Sequence, residues 1–295
     1  MPSTLCEKGA AAADLSPSVL GELVEIARSA AELGGSVLME HYGNLSSVRD
    51  KGRLGDLVTN ADTAAEEQVL EALQSSTPDI GILAEESGAR GEQNGLRWCV
   101  DPLDGTTNFA HGYPLFATSI GLTWNQQPIL GAIAVPFLRE IFWAAPGIGA
   151  FRNEKPIQVS SCQSLQDSLL VTGFAYDRHS RLDNNYAEFC WFTHRTHGVR
   201  RGGAAAVDLA FVACGRQDGY WERGLSPWDL AAGAALVELA GGVVSGYRGE
   251  PFDLSSGRVL ACGDALHSQM VDGLGQVKPL SGASFGAPEL TVMGS

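Results

Sequence analysis

The chain of 295 residues has no apolar run long enough to cross a bilayer as a helix, so no membrane-spanning helix is expected in it. It has no C-x-x-C pair. Cys6, Cys99, Cys162, Cys190, Cys214 and Cys262 are scattered, so a zinc site is not expected and the thiols read as reduced, mostly buried residues of a cytoplasmic protein. The six histidines show no metal-ligand spacing. Positive charge is scarce: 20 Lys and Arg stand against 34 Asp and Glu, a net charge of -14. That balance disfavours nucleic acid and anionic membranes as partners. Met1 to Ser16 carries neither a basic region nor an apolar core, so no secretory signal is expected. The first arginine is Arg28, which argues against an Arg-rich transit peptide. There is no internal repeat and no low-complexity tract.

What is present is ordinary for a globular chain, with 44% hydrophobic and 18% charged residues. The length suits one large domain or two closely joined subdomains. The stretch Asp101-Pro102-Leu103-Asp104-Gly105-Thr106-Thr107-Asn108-Phe109 follows a short apolar run, Trp98-Cys99-Val100, that reads as a strand end. Two carboxylates three positions apart therefore sit at the strand's carboxyl end. Pro102 fixes φ and Gly105 permits a sharp exit. Thr106 and Thr107 are placed to open a helical turn whose free N–H groups face any nearby anion. Cation ligands and anion donors then lie within one turn, as a metal bridging to a phosphate requires. A lone Asp-Pro or Asp-Gly turn is more often structural. An EF-hand is excluded by the missing alternate acidic ligands. The paired Asp of an aspartate-nucleophile phosphatase, one residue apart, is also missing.

Residues 1–15 read as a disordered tail. Ser16 and Pro17 start a helix that runs to about His41, with Val19, Leu20, Leu23, Ile26, Ala27, Ala30 and Ala31 on one face. Val48 to Asp62 begins as a polar, Gly-punctuated loop carrying Lys51, either a flap over an anionic ligand or a solvated loop. Asp62 reads as the cap of a second helix, Thr63 to about Gln74. Ile80 to Ala84 is a strand ending in Glu85-Glu86. Alone that pair would be a solvated turn. Beside Asp101 and Asp104 it suggests a shared acidic pocket, since ligands collect at strand carboxyl ends in open α/β sheets. Three strands follow, Phe116 to Trp124, Ile129 to Pro136 and Glu140 to Ala144, with turns at Gln126-Gln127-Pro128 and Phe137-Leu138-Arg139. They form an antiparallel sheet. Leu169 to Gly173, Val199 to Arg201 and Gly219 to Glu222 read as further strands. Asp183 to about His194 and Ala204 to Cys214 read as helices. Ser226, Pro227 and Asp229 form a capping-box-like start to a helix reaching about Ala240, and spacing alone accounts for Asp229 as a cap. Val243-Val244, Val259 to Cys262 and a helix from Asp264 to about Leu274 close the fold. The organisation expected is a helix-pair and sheet subdomain over 16–160, an α/β subdomain over 161–277, and a loose tail over 278–295.

Four blocks in order now resemble one family. Trp98 to Phe109, Pro227 to Gly233, Asp56 to Asp62 and Ala84 to Ser87 are similar to the signatures of the inositol monophosphatase family of Mg²⁺-dependent, lithium-sensitive sugar phosphatases. The matching blocks span about Lys51 to Ala265. The resemblance implies an α/β (α+β) fold, a layered αβαβα sandwich, commonly as a homodimer. It implies three Mg²⁺ sites: Glu85, Asp101 and the Leu103 carbonyl; Asp101, Asp104 and Asp229; and a weaker one at Glu85 with waters. It gives Thr106 and Asp62 the task of orienting an attacking water, with Glu86 assisting, and gives the N–H groups of Gly105 and Thr106 to the phosphate. Glu222 matches the position that contacts inositol hydroxyls, and Gly203, Ala204 and Ala205 match the loop lining the sugar. Lys51 matches a basic residue near a metal-bound water. The chain departs from many relatives at Ala204, where a hydroxyl residue is common, and around Ala175-Tyr176-Asp177.

The implied activity is in-line hydrolysis of inositol 1-phosphate, or a related polyol or sugar monophosphate, by a metal-activated water. The same chemistry on histidinol phosphate, fructose 1,6-bisphosphate or a 3′-phosphoadenosine nucleotide is the alternative. A non-catalytic metal or phosphate sensor is the alternative of another class, and the full set of acidic residues with Thr106 argues against it.

Overall fold

The structure is a computed structural model that describes residues 4–52 and 55–278. The expectation of a disordered tail over 1–15 is corrected from Thr4 onward. Residues Leu5–Ala12 form helix α1, with Thr4 and Glu7 in a reciprocal capping box. The sequence hides this helix because its buried side chains are small. Cys6 and Ala10 pack inward, the Gln127 side chain donates to the Leu5 carbonyl, and the Cys6 N–H donates to Glu238. Of the expected loose C-terminal tail, all but Lys278 lies outside the described residues.

Helix α2 (Pro17–His41) starts as the spacing predicts, with the Ser16 hydroxyl accepting from the Val19 N–H. A hairpin of β1 (Val48–Asp50) and β2 (Leu57–Thr59) follows, so the candidate flap is partly a two-stranded ribbon. It leads into α3 (Asn60–Ser76). Thr59, not Asp62, is the N-cap. Asp62 is the third helical residue and closes the capping box by accepting from the Thr59 N–H.

The first sheet contains β3 (Gly81–Ala84), β4 (Gly88–Arg90), β5 (Leu96–Asp104), β6 (Ala117–Trp124), β7 (Gln127–Val135), β8 (Glu140–Ala145), β9 (Gly149–Arg152) and β10 (Lys155–Pro156), with the short helix α4 (Thr106–Ala110) between β5 and β6. The strand order is β10-β9-β8-β7-β6-β5-β3-β4. All neighbours are antiparallel except β3 and β5, which run parallel. Two sequence expectations are corrected here. The β6–β7 turn is Asn125-Gln126, both at positive φ, and Gln127 and Pro128 belong to the strand. Strand β5 does not end at Val100 but runs on through a bulge to Asp104.

The second half contains β11 (Leu169–Thr172), α5 (Tyr186–Thr193), β12 (Gly198–Arg200), α6 (Ala205–Ala213), β13 (Gly219–Arg223), α7 (Pro227–Leu239), β14 (Val243–Ser245), β15 (Arg258–Cys262) and α8 (Asp264–Gln276). Its sheet has the order β12-β11-β13-β15-β14. Helix α5 begins later than expected. Asp183 is engaged by Arg223 and Arg258, and Asn185 is left-handed at φ 69°, so the chain cannot be helical there.

The layers follow from which faces are apolar. Leu20, Leu23, Val24, Ala27 and Ala31 of α2 pack with Val69, Leu70 and Leu73 of α3 on one face of the first sheet. Each fully buried Leu of this kind contributes roughly 1.5–3 kcal/mol. Helices α6 and α7 lie between the two sheets, and α5 and α8 cover the far face of the second. The result is the αβαβα sandwich. Helix α7 comes unusually close to the first sheet. A Cβ at Gly131 would meet the Ala232 Cα at 2.5 Å, and one at Gly121 would meet the Ala232 N at 2.6 Å. These two glycines set the depth at which α7, and Asp229 at its start, can sit.

Candidate active site

Parallel pairing of β3 and β5 brings their carboxyl ends to one edge. The Glu85 N–H donates to the Val100 carbonyl at 3.1 Å, so Glu85 emerges beside Asp101. The bulge then places four β5 residues, Asp101 to Asp104, against three on β6, Ser119 to Ala117. It is held by the Thr118 hydroxyl on the Pro102 carbonyl, 3.0 Å, and the Leu103 N–H on Asp101 Oδ1, 2.9 Å. Gly105 takes φ 88°, which a residue with a Cβ rarely adopts, and α4 begins at once.

These residues open into a cleft of about 390 Å³. Glu85, Asp101, Leu103, Asp104, Gly105, Thr106 and Asp229 line it. So do Lys51, Gly203, Ala204, Ala205 and Glu222. The site residues named from the sequence are thus brought together, with two exceptions. Asp62 is fully buried behind Thr106. Its Oδ1 lies 3.1 Å from the Thr106 hydroxyl, and its Oδ2 accepts from the Thr59 N–H and hydroxyl at 2.8 and 2.6 Å. Glu86 faces a neighbouring groove, with its N–H donating to Glu66 at 2.9 Å. It is tied to the cleft through Lys51, whose ammonium reaches Glu85 at 2.9 Å and Glu86 at 2.5 Å.

The electrostatics are those of anions crowded without enough cations. Burial first, then Glu85, Asp104 and Asp229, push the Asp101 carboxyl well above its ordinary range. Burial and then Glu85 do the same to Asp229. Asp104 is raised by burial too, but the N–H groups of Ala205, Ala206 and Val207 at the start of α6 hold it back. Glu86 is pushed up to about 7 by burial, against the pull of Lys51. Burial pulls the Lys51 ammonium down, yet Glu85 and Glu86 outweigh it and its pKa is raised.

Among the described residues no three His, Cys, Asp or Glu side chains already stand around one point in ligating geometry. The reason is visible in their partners: Asp104 faces the α6 N–H groups, Glu85 faces Lys51, and Asp229 Oδ2 accepts from the Ser226 N–H at 2.7 Å. Asp229 therefore caps α7 as its spacing predicts and also lines the cleft. The donor set nevertheless fits a hard divalent cation. It consists of carboxylates and a carbonyl, with no thiol or imidazole, and its anionic form is strained for want of positive charge.

On the opposite wall Glu222 is buried beside Gly173, where a Cβ would fall 2.1 Å from Glu222 Oε2. The Tyr220 hydroxyl donates to that oxygen at 2.7 Å. Burial lifts Glu222 to about 7, partly offset by the Tyr220 bond. The neighbouring loop is held by Asn108, whose amide donates to the Leu115 and Gly202 carbonyls at 2.7 and 2.9 Å. Sequence reasoning missed Asn108, Arg201 and Asp208, together with Glu66 and the lining residue Trp228. Asn108 sits inside the central motif, and that position was the available signal. Tyr176, noted from the sequence as a departure, also lines the cleft.

A family model described as the inositol monophosphatase family matches residues 20–277. The inositol-1-monophosphatase of Synechocystis sp. is 53% identical over 260 residues, covering 88% of this chain and 91% of the relative. A protein of Aquifex aeolicus named fructose-1,6-bisphosphatase/inositol-1-monophosphatase is 38% identical, covering 84% of this chain and 93% of its own. The solved inositol monophosphatase of Anabaena (Nostoc) sp. superposes with a TM-score of 0.82 at 51% identity, covering 89% of this chain and 98% of that one.

Proposed function

Because the chain belongs to the inositol monophosphatase family of metal-dependent phosphoric monoester hydrolases, we propose that it hydrolyses inositol 1-phosphate or a closely related polyol monophosphate with Mg²⁺. The observation that carries this is the convergence of Glu85, Asp101, Asp104 and Asp229 on the cleft that also holds Thr106 and Glu222. Glu85, Asp101 and the Leu103 carbonyl would hold one ion, Asp101, Asp104 and Asp229 a second, and Glu85 with waters a third. Bound there, Mg²⁺ supplies charge to the phosphoryl oxygens and lowers the pKa of a bound water.

The rest falls to the chain itself. The Thr106 hydroxyl lies 3.0 Å from the Leu103 carbonyl and 3.1 Å from Asp62 Oδ1. With that carbonyl turned to a metal ion it would donate its hydrogen bond to Asp62, which leaves its lone pairs to accept from, and orient, the attacking water. Asp62 is fixed for this by its two bonds from Thr59. The N–H groups of Gly105 and Thr106 would bind the phosphate. In the metal-free chain Glu85 and Glu86 both hold Lys51 at the cleft, and Glu86 would keep Lys51 there when Glu85 turns to a metal ion. Glu222 accepts the polyol hydroxyls, and Gly203, Ala204 and Ala205 shape the wall they rest on. Attack is direct, with no phosphoenzyme.

Mg²⁺ as the ion, inhibition by lithium and a homodimer are proposals resting on the family resemblance, and a cytoplasmic location is a proposal resting on the scattered thiols. A sugar bisphosphate is the second reading. The Aquifex relative's name includes bisphosphatase, and the exposed Arg201 lines the cleft. Phosphate release from a dozen sugar and polyol phosphates tests the choice. Inositol 1-phosphate should be fastest and EDTA should abolish release. Equal release with EDTA would refute the reading.

A further inference from the structure

Asp208 lies in the first turn of α6, is 1% exposed, and has no role in the chemistry above. Neither of its carboxyl oxygens has a hydrogen-bond partner among the described residues. The group is pressed against Gly202, where a Cβ would fall 2.1 Å from Oδ1. On its other side Gly202 is held through its carbonyl by Asn108. The loop that enters the leaving-group wall is thus fixed between an amide of α4 and the Asp208 carboxyl.

The groups acting on Asp208 are Glu222 from β13, Asp104 from the end of β5, and Arg201 from the loop before α6. Tyr220 of β13 is nearby, but its hydroxyl is given to Glu222. Arg201 is the single cation of the group, is exposed, and forms no ion pair with Asp208 among the described residues. An ionised carboxylate left unpaired here, beside two others, is strongly disfavoured. A neutral carboxylic acid keeps the same shape without that penalty. Burial, then Glu222, then Asp104 act in this direction on Asp208, against Arg201.

We propose that Asp208 is kept as a neutral acid and is a positioning residue for the leaving-group loop Arg201–Ala205, so that Glu222 is the member of this buried acid pair that ionises and accepts substrate hydroxyls. The part concerning substrate rests on the proposed function. The part concerning Asp208 does not.

Two measurements on the full chain test this. The first is thermal unfolding in metal-free buffer at pH 5 and pH 8.5, comparing wild type with Asp208→Asn. A carboxyl whose pKa is raised on folding contributes stability below its unfolded pKa and loses it as pH rises. The Asn variant has no such loss. Because pH 5 already lies above the unfolded carboxyl's pKa of about 3.9, the variant should melt slightly above wild type at pH 5 and about 3 °C further above it at pH 8.5. An Asn variant less stable than wild type at both pH values, or a gap that does not change with pH, would overturn the proposal.

The second measurement compares Asp208→Asn with Asp208→Leu on inositol 1-phosphate and on p-nitrophenyl phosphate. Asn should keep both KM values within about threefold. Leu should raise KM for the polyol ester roughly tenfold, with kcat and the aryl ester little changed. A parallel fall of kcat on both esters would instead indicate a merely structural role. Should wild type cleave neither ester, the proposed function fails, and the thermal comparison still decides Asp208.

Discussion

The hydroxyl of Thr106 meets Oδ1 of Asp62 at 3.1 Å across 44 residues of sequence, and Oδ2 of the same carboxylate is held by Thr59. One carboxylate therefore serves a helix start and the site at once. Thr106→Ala should lower kcat by roughly 10²–10⁴-fold with little change in Tm, since only the orienting hydroxyl is lost. Asp62→Asn should lower both, costing about 1 kcal/mol for the damaged cap. Steady-state kinetics with thermal melts will separate the two. Equal Tm losses in both variants would contradict this division.

Asp104 faces both the cleft and three N–H groups of α6. Asp104→Asn should lower kcat by at least ~100-fold, the loss typical of a central electrostatic group. A near-normal rate in a folded variant would rule the assignment out.

The raised carboxyls set a pH dependence with a definite sign. Burial and their neighbours raise Asp101 and Asp229 in the folded state, so their contribution is present at acid pH and is lost as pH climbs above the ordinary carboxylate range. His267 works the other way, because burial lowers it and protonation at acid pH opposes folding. The carboxyls outnumber it. Metal-free protein should therefore lose stability from pH 5 to pH 8. Mg²⁺ at a hundred times its Kd should restore about 2.7 kcal/mol, and one fixed Mg²⁺ concentration should restore more at the higher pH, where the carboxylates are ionised and Kd is lower. Melts with EDTA and with Mg²⁺ at both pH values measure this. A Mg²⁺ effect that shrinks as pH rises would contradict it.

Gly131 holds no side chain because α7 lies on it. Gly131→Ala should destabilise by about 1–3 kcal/mol through overpacking. It should also raise the Mg²⁺ concentration for half-maximal activity, because Asp229 rides on the displaced helix. Chemical denaturation and a Mg²⁺ titration of activity are the readouts. An unchanged Mg²⁺ requirement in a destabilised variant would uncouple packing from the site.

The chemistry of this chain was more legible than its pairings. Asp101-Pro102-Leu103-Asp104 and Ser226-Pro227-Trp228-Asp229 are local signals, since spacing of a few residues dictates a turn or a cap. The αβαβα layering followed from the family resemblance, and the alternation of apolar strands and helices agrees with it. Helix α1 was not legible, because Cys6, Gly9 and Ala10 carry too little apolar surface to mark a face. Its docking depends on Gln127 and Glu238, distant in sequence. Asn108, Asp208 and Arg201 are ordinary polar residues until tertiary structure surrounds them. The cap of α3 was misplaced from Thr59 to Asp62 because both residue types suit the position and only the observed bonds decide between them.

The most direct test of the cation cage is an anomalous difference map from crystals grown with Mn²⁺. Density is expected between Asp101, Asp104 and Asp229, and between Glu85, Asp101 and the Leu103 carbonyl, with Lys51 moved off Glu85. Mn²⁺ bound only elsewhere, with those side chains left as they are, would contradict it.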